Sequence, residues 1–290
     1  MKILQALVAA VLLGVVAVGC EDNTAPAPAG FGPPTNVLAQ SVSASSVGLS
    51  WGPPAGVADT LLAAYIISYG DVRDSIPGSP RVYTAANLPK GITSFTLQAV
   101  SMDKQYSNTA GKSWAPAARY DSVFSLYEYD VSQLLRNSAL NIGTQTEAPS
   151  AVPVALAAQL PFDAYVQGQG GQQLSLRGGQ LFNTTYDPFL FADRADVAPS
   201  LDYYIDQFPT TYSRSEVVLR DNSIYYARGT GAPGEIHYVR IHVRFGPGTY
   251  PNRTVIISLS VQKVPSLQFA SSDGGGAGST GVSASTPGRS

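Results

Sequence analysis

Residues 46–54 read SVGLSWGPP, and this stretch indicates the fold class of the first half of the chain. Its apolar residues Val47, Leu49 and Trp51 alternate with small or polar residues, a period of two that is typical of a strand with one buried face. The Gly-Pro-Pro that follows ends the strand, because proline has no N–H to donate to a sheet. The sequence therefore predicts a short strand and then a turn.

The same alternation recurs on the C-terminal side of this stretch. Residues 65–69 (YIISY) and residues 94–100 (SFTLQAV) each place every second residue on an apolar face. The chain also holds 28 Gly and 21 Pro, which punctuate such runs. Short alternating strands separated by glycine and proline favour a β-sandwich over helical folds.

Three of these segments resemble a known family. Residues 34–37 (PTNV), 46–54 and 65–71 (YIISYGD) are similar to the A, B and C strands of a fibronectin type III domain. The resemblance implies that Trp51 lies in the core between two sheets, with Tyr65 and Ile67 packed near it.

The resemblance continues to about residue 120. Residues 88–91 and 95–100 resemble the E–F corner and the F strand, and residues 110–113 resemble the start of the G strand. Phe95 stands where the family has a tyrosine whose hydroxyl ties down that corner. The following loop contains no Arg-Gly-Asp, so the sequence gives no indication of integrin-type adhesion. We expect this domain to span residues 34–120.

The remaining region, residues 121–270, is predicted to be a second β-rich domain. Residues 217–219 and 224–227 flank a polar turn and predict a hairpin. Residues 235–245 and 253–263 alternate over their whole length and predict two more strands, so that an antiparallel meander forms with one solvent-facing side. The predicted fold is all-β: an N-terminal immunoglobulin-like (fibronectin type III) sandwich followed by a second β-rich sandwich or meander domain.

The N-terminus has the pattern of an export signal. Lys2 precedes an apolar run over residues 3–18, which is short for a bilayer-spanning helix. Residues 17–20 (AVGC) resemble the bacterial lipobox, in which the cysteine is acylated, and Cys20 is the single cysteine of the chain. We therefore expect residues 1–19 to be a lipoprotein signal peptide, and Cys20 to carry palmitate-type acyl chains that anchor the protein to a membrane.

Two further segments are predicted to lie outside the domains. Residues 20–33 form a proline-rich linker, and residues 271–290 form a Gly/Ser tail that we expect to be disordered. The expected location is the bacterial cell envelope, with the outer membrane favoured and the domains facing the periplasm or the cell surface.

Composition excludes several function classes. The formal net charge is -2, so the chain lacks the basic surface that nucleic-acid binding requires. One cysteine rules out a zinc finger, and its position at residue 20 leaves no thiol for a disulfide in the domains. We expect no cofactor. The expected partners are the membrane, through the lipid anchor, and a protein or carbohydrate ligand.

Histidines and carboxylates give no clear catalytic candidate. His237 and His242 are five residues apart on one predicted strand, so their side chains leave from opposite faces and do not readily share a metal or a haem. The closest carboxylate pairs are Glu128/Asp130, Asp193/Asp196 and Asp202/Asp206, and nothing distinguishes them from ordinary loop acids. The cluster of Asp193, Asp196 and Asp202 lacks the spacing of a calcium loop. The sequence therefore predicts a non-enzymatic protein without a metal site.

Aromatic residues offer a better hypothesis for binding. Seven of them crowd into 27 residues: Tyr186, Phe189, Phe191, Tyr203, Tyr204, Phe208 and Tyr212. They either recognise a sugar or peptide or fill the core of the second domain. The candidate ligand-binding residues are Tyr186, Phe189, Tyr203, Tyr204 and Tyr212, together with Arg240, His242 and Arg244, which share one predicted strand face and form an anion-attracting stripe.

A weaker resemblance adds an alternative function. Residues 220–245 and 261–270 are similar to the C-terminal hairpins of HmuY-like haem-scavenging lipoproteins, which are all-β and membrane-anchored. The favoured hypothesis is a non-catalytic binding or scaffold protein. Capture of a small ligand, haem included, is the alternative, and a carbohydrate-active envelope enzyme is the third.

Overall fold

The computed structural model describes residues 30–270, except 131, 134, 144–145, 157–161, 170–172 and 233–234. Cys20, the predicted signal peptide, most of the predicted linker and the predicted Gly/Ser tail lie outside the described residues. Within them, no helix has the length and apolar character needed to cross a membrane.

Seven antiparallel strands build the first sandwich. One sheet has the order β1-β2-β5 and the other the order β4-β3-β6-β7. This arrangement is fibronectin type III-like, as the sequence predicts. The strands are β1 (Thr35–Ser43), β2 (Ser46–Gly52), β3 (Leu62–Tyr69), β4 (Val72–Pro77), β5 (Val82–Ala85), β6 (Thr93–Ser101) and β7 (Ala110–Trp114).

The core of this sandwich forms around the alternating residues of β2, β3 and β6. Trp51 and Tyr65 meet edge to face with their ring centroids 5.2 Å apart. Ile67 and Leu97 are fully buried beside them. Phe95 is also buried and packs on Tyr69 at 5.3 Å, so the residue that replaces the family's corner tyrosine contributes apolar contact.

Among the residues that the structure describes, ten strands build the second sandwich from two five-stranded sheets, β10-β9-β11-β12-β14 and β13-β15-β16-β17-β8. The predicted boundary between residues 120 and 121 falls inside β8. The all-β fold class is confirmed. The strands are β8 (Ala118–Tyr127), β9 (Asn137–Asn141), β10 (Ser150–Pro153), β11 (Ala164–Gln169), β12 (Gln173–Gly178), β13 (Leu190–Val197), β14 (Glu216–Val218), β15 (Ser223–Ala232), β16 (Glu235–Phe245) and β17 (Thr254–Val261).

The predicted meander of β15, β16 and β17 is present, but the predicted hairpin before it is wrong. β14 pairs with β12 in one sheet, whereas β15 pairs with β13 and β16 in the other. The Tyr225 hydroxyl donates to the Val218 carbonyl at 2.9 Å and accepts the Arg220 N–H at 2.7 Å. These bonds hold the chain as it passes between sheets, so the polar turn connects two layers instead of two paired strands.

The expectation of one solvent-facing side along these strands is also wrong. On β16, Val239, Ile241 and Val243 fill the core between the two sheets of the second sandwich. The opposite side, which carries Arg240 and His242, is covered as well. The covering chain includes residues 198–212, which lie between the two sandwiches and contact both.

An aromatic cluster joins the two sandwiches. Phe208 stacks on Phe269 with centroids 4.7 Å apart, and its edge contacts reach Tyr226 at 5.2 Å and Trp114 at 6.5 Å. Backbone bonds reinforce the junction, since Ala39 and Ile205 each donate to the other's carbonyl at 3.1 Å. Burying each such ring stabilises the fold by roughly 1.5–3 kcal/mol. The first sandwich and the outer face of the β13-β15-β16 sheet therefore share one hydrophobic core.

Asp163 joins neighbouring segments of the second sandwich. Its side-chain oxygen accepts the Ile142 N–H at 2.7 Å, its backbone N–H donates to Leu140 at 2.9 Å, and its carbonyl accepts the Gly179 N–H at 2.7 Å. Burial raises the pKa of its carboxyl to about 7, and the Ile142 N–H only partly opposes this shift. The folded protein therefore disfavours the ionised form.

We expect this carboxyl to make the protein less stable as pH rises from about 4 to about 7. The folded-state pKa of about 7 lies above the ordinary value of 3.8, so ionisation in this window costs folding free energy, and the loss is complete above pH 7. Asp163→Asn, which keeps an oxygen for the Ile142 N–H, should remove this decline. Urea unfolding between pH 4 and 8 measures it, with Asp193→Asn at an exposed carboxylate as control. Parallel pH profiles for wild type and D163N would contradict the assignment.

Candidate functional site

A cleft of about 880 Å³ lies where the two sandwiches meet. Volumes of roughly 300–1,000 Å³ are typical of ligand sites. Its walls come from the start of β1, from β6 and β7, and from residues 206–210 together with Arg194 and Ala270. The cleft thus combines segments of both sandwiches that are far apart in sequence.

β7 forms one wall because it is the last strand of its sheet. Trp114 points into the shared core, and its indole N–H donates to the Ser41 hydroxyl at 3.0 Å. Lys112 has the same strand parity, two residues earlier, and its ammonium donates to the Asp206 carbonyl across the cleft. This contact joins the wall of the first sandwich to the wall of the second.

Arg194 of β13 holds the opposite wall in place. Its Nη1 donates to the Gln207 carbonyl at 2.8 Å, and its Nε donates to both Asp196 oxygens at 3.1 Å. The guanidinium also lies over the Tyr226 ring, 5.7 Å from the centroid. Asp206 lies 3.8 Å from Arg194 Nη2. Residues 206–208 are therefore fixed to the sheet beneath them.

Two cations, Lys112 and Arg194, and two carboxylates, Asp196 and Asp206, set the electrostatics of the cleft. Burial lowers the pKa of the Lys112 ammonium, and the Asp206 carboxylate partly opposes this shift. Burial disfavours the charged form of Arg194, but the hydrogen bond that its guanidinium donates to Asp196 and the nearby acidic groups outweigh burial, so the pKa of the guanidinium is raised. Asp196 pairs with Arg194 through both carboxylate oxygens and Asp206 lies near both cations, so these four charges balance. The Lys112 ammonium itself bonds to a neutral backbone carbonyl and is the cation of the cleft that best suits an acidic group of a ligand.

The predicted aromatic site residues do not come together in this cleft. Phe189 is fully buried against Phe191, and Tyr212 is buried against Tyr238. Tyr186 is half-buried and packs on Phe162 on another face of the second sandwich. Most of the aromatic run is core, because residues 198–212 cover a sheet face that must exclude water.

Tyr203 and Tyr204 lie nearer the surface than the others. Tyr203 is exposed and Tyr204 is half-buried, and neither lines the cleft. Of the seven crowded aromatics, Phe208 lines it, and Phe208 is not among the candidate ligand-binding residues.

The predicted stripe of Arg240, His242 and Arg244 is solvent-facing only at Arg244. Arg240 is fully buried, and its Nη2 donates to the Tyr203 carbonyl at 2.8 Å. Burial lowers the pKa of the His242 imidazole, whose Nε2 lies 3.0 Å from the Ala198 carbonyl. These two side chains hold residues 198–203 against the sheet and are not open to a ligand.

The two histidines lie on opposite faces of β16, as their spacing predicts. His237 is fully buried and its Nδ1 lies 2.9 Å from the Gln262 carbonyl. Because a carbonyl only accepts, Nδ1 of His237 and Nε2 of His242 each carry a hydrogen and donate it to the backbone. This geometry does not place both imidazoles on one bound metal or haem.

The closest carboxylate pairs are engaged in ion pairs or local turns. Glu128 is buried and pairs with Arg253 through two bonds of 2.9 and 2.7 Å. Asp130 accepts the Ser132 N–H at 2.8 Å. The other pairs bind arginines: Asp193 with Arg214, Asp196 and Asp206 with Arg194, and Asp202 with Arg119. Among the described residues, no three His, Cys, Asp or Glu side chains are placed to hold a metal ion.

No family model and no curated protein matches this chain. Solved structures of fibronectin type III domains do. The fn3 domain of human collagen alpha-1(XX) is 22% identical, with a TM-score of 0.27, covering 31% of this chain and 88% of that one. The FN5 domain of Drosophila Lar is 18% identical, with a TM-score of 0.23, covering 30% and 99%.

A multi-domain structure also aligns, over more of the chain. The central fibronectin-III array of RIM-binding protein is 8% identical, with a TM-score of 0.26, and the alignment covers 77% of this chain and 87% of that one. At such identities the likeness concerns the fold alone. The strand order of the first sandwich is the observation that makes it fibronectin type III-like.

Sequence reasoning missed the cleft residues Lys112, Arg194, Asp206 and Phe208 as a group. Lys112 is separated from Asp206 by 94 residues. No periodicity links positions that far apart. The Arg-x-Asp spacing of Arg194 and Asp196 on one strand face was the single local signal available.

We expect Arg194→Ala to loosen the wall at residues 206–208. A hydrogen bond to a charged group is worth about 1.5–3 kcal/mol, so amide exchange there should accelerate at least about tenfold. Hydrogen exchange with mass spectrometry measures this. Arg214→Ala is the matched control, because Arg214 and Asp193 form an ion pair whose side chains are 64% and 63% exposed. Equal exchange in R194A and R214A would refute the bracing role of Arg194.

Proposed function

We propose that the protein is a lipid-anchored, non-catalytic binding or scaffold protein of the bacterial cell envelope, and that its ligand site is the cleft between the two sandwiches. The observation that best supports this proposal is the cleft itself, which both sandwiches line and which Lys112, Arg194 and Asp206 make polar. A protein ligand is favoured over a carbohydrate, because the aromatic rings around the cleft are packed against one another and offer little free face for sugar stacking.

The shared core supports a binding role. Trp114, Phe208 and Phe269 fix the two cleft walls at one spacing, and a preformed site loses less entropy when it binds. The closest carboxylate pairs are held by arginines or local turns, which leaves them poorly suited to work as an acid and a base. These features favour recognition over chemistry.

The cleft is tested by photo-crosslinking in intact cells of the source organism. A benzoylphenylalanine placed at Thr210, an exposed cleft residue, should give a discrete adduct, and one placed at Lys90, outside the cleft, should not. Gly111→Trp should abolish the adduct. Gly111 lines the cleft and the space beside it is open, since an added Cβ would meet only the Phe95 carbonyl at 3.9 Å. The indole leaves β7 from the face opposite Lys112, so it adds bulk at the strand edge of the cleft without entering the core.

Three results would contradict the proposal that the cleft is the ligand site. They are no adduct from Thr210, the same adduct from Lys90, or an adduct that persists in a correctly folded G111W variant. The far-UV circular dichroism and urea midpoint of G111W establish that it is folded.

The anchor is supported by the apolar leader and by the single cysteine at the lipobox position. Cells fed an alkyne analogue of palmitate should label the wild-type protein, and the protein should partition with membranes. Cys20→Ser should lose both properties, because no other thiol is available. Labelling of C20S at wild-type level would refute lipidation at this residue.

A further inference from the structure

We propose that the cleft binds an extended peptide segment of a partner protein, which adds as a strand to the free edge of β7 and places an acidic side chain against Lys112. This inference rests on the proposed function, because it names the ligand class of the same cleft. It follows from the free edge of β7, from the Lys112 ammonium and from the length of the strand.

The pairing of β6 shows which backbone groups of β7 face the cleft. Ala99 accepts the Ser107 N–H at 2.9 Å and donates its own N–H to the Ser107 hydroxyl, so the odd-numbered residues of β6 point towards β7. Their partners in the register are Ala110, Lys112 and Trp114. The N–H and C=O groups of successive residues point to opposite sides of a strand. Those of Gly111 and Ser113 therefore point away from β6, towards the open edge of the sheet.

The outward groups of Gly111 and Ser113 bind no backbone group in the part of the chain that the structure describes. Such an edge is a template for another strand, and strand addition is a common mode of peptide recognition. Natural proteins usually block an edge with a bulge or an inward charge. The register of β6 and β7 has no bulge, and the inward charge is Lys112, which an acidic residue of the added strand would neutralise. Here the edge opens into a cleft, which protects it from large partners and admits a single extended segment.

The chain itself pairs with the end of this edge. Ala115, the next outward-facing residue, donates its N–H to the Phe269 carbonyl at 2.7 Å, and its carbonyl accepts the Ser41 hydroxyl at 2.9 Å. A backbone partner is thus already in place at one end. The free stretch at Gly111 and Ser113 continues in line with it.

Charge at Lys112 selects the ligand. Its ammonium is half-buried, its pKa is lowered by burial, and Asp206 offers it a backbone carbonyl while the Asp206 carboxylate is shared with Arg194. A residue directly opposite Lys112 on an added strand lies within reach of its side chain. A carboxylate there would pair directly with the ammonium, whose bond within the protein is to a neutral backbone carbonyl.

The dimensions agree with a short strand. β7 has five residues, which corresponds to about 17 Å of extended chain. Gly111 has no side chain, so no Cβ at this position crowds a ligand backbone that pairs with it. Pro33 and Pro34 on one side and Pro209 on the other bound the cleft without donating hydrogen bonds that would compete.

The test uses selected peptides as probes. Nine-residue peptides are selected from a random mRNA-display library against the purified full-length chain in detergent, and the three strongest binders are synthesised for anisotropy titration. We expect each to carry Asp or Glu. Methylation of alternate amide nitrogens in the peptide should weaken binding at least tenfold, because those N–H groups face β7, and methylation of the intervening ones should have little effect.

Two protein variants separate the edge from the charge. Ser113→Pro removes an outward N–H, leaves the backbone bonds to β6 in place, and should weaken binding at least tenfold. It also removes the 3.1 Å bond between the Ser94 and Ser113 hydroxyls. Lys112→Glu should do the same, and a peptide whose acidic residue is exchanged for Lys should regain binding to K112E. Lys112→Arg is the matched control and should retain binding.

The outcomes distinguish this inference from the proposed function. Failure of the selection to yield any peptide, or peptides that tolerate both S113P and every methylation, would overturn strand addition, whereas a Thr210 adduct blocked by G111W would still support the cleft. Binding that appears only after residues 271–290 are deleted would assign the edge to the chain's own C-terminal segment and also overturn the proposal. Because the methylation series uses the wild-type chain, it remains decisive if S113P does not fold.

Discussion

The packing of Phe208 between the two sandwiches is the constraint on which the rest of the structure depends. Its ring stacks on Phe269 and meets Tyr226 and Trp114 edge to face. These contacts require residues 198–212 to cover the outer face of the second sandwich, and they set the distance between β7 and residues 206–210. The cleft exists because this spacing is fixed by a dry core.

Buried polar groups serve this same covering segment. Arg240 and His242 each bond to a backbone carbonyl of residues 198–203, and Arg194 does so at Gln207. Such bonds satisfy carbonyls that an irregular segment would otherwise bury without partners, at a cost of about 1–3 kcal/mol each. Arg240 and His242 are predicted from the sequence to bind a ligand, but in the structure they hold residues 198–203 against the sheet.

The sequence predicts individual strands well but not which sheet each strand joins. The alternation around Trp51 and along residues 235–245 predicted β2 and β16 nearly to the residue, because strand period is a local property. The hairpin prediction at residues 217–227 was wrong, since a polar turn does not reveal whether the next strand stays in the same sheet. The bond network of Tyr225 decides that, and it depends on the tertiary fold.

The sequence by itself determined the all-β class and the opposite-face placement of the two histidines, because both follow from period-two patterns or short-range spacing. The fibronectin type III-like arrangement of the first sandwich was implied by the resemblance of residues 34–120 to that family. Only the tertiary structure decided which faces are buried and which residues line the cleft. Lys112 and Asp206 meet because a shared hydrophobic core brings two sandwiches together, and the free energy of that burial is summed over residues from Ala39 to Ala270. A local sequence pattern does not contain this information, so it cannot predict that the two residues meet.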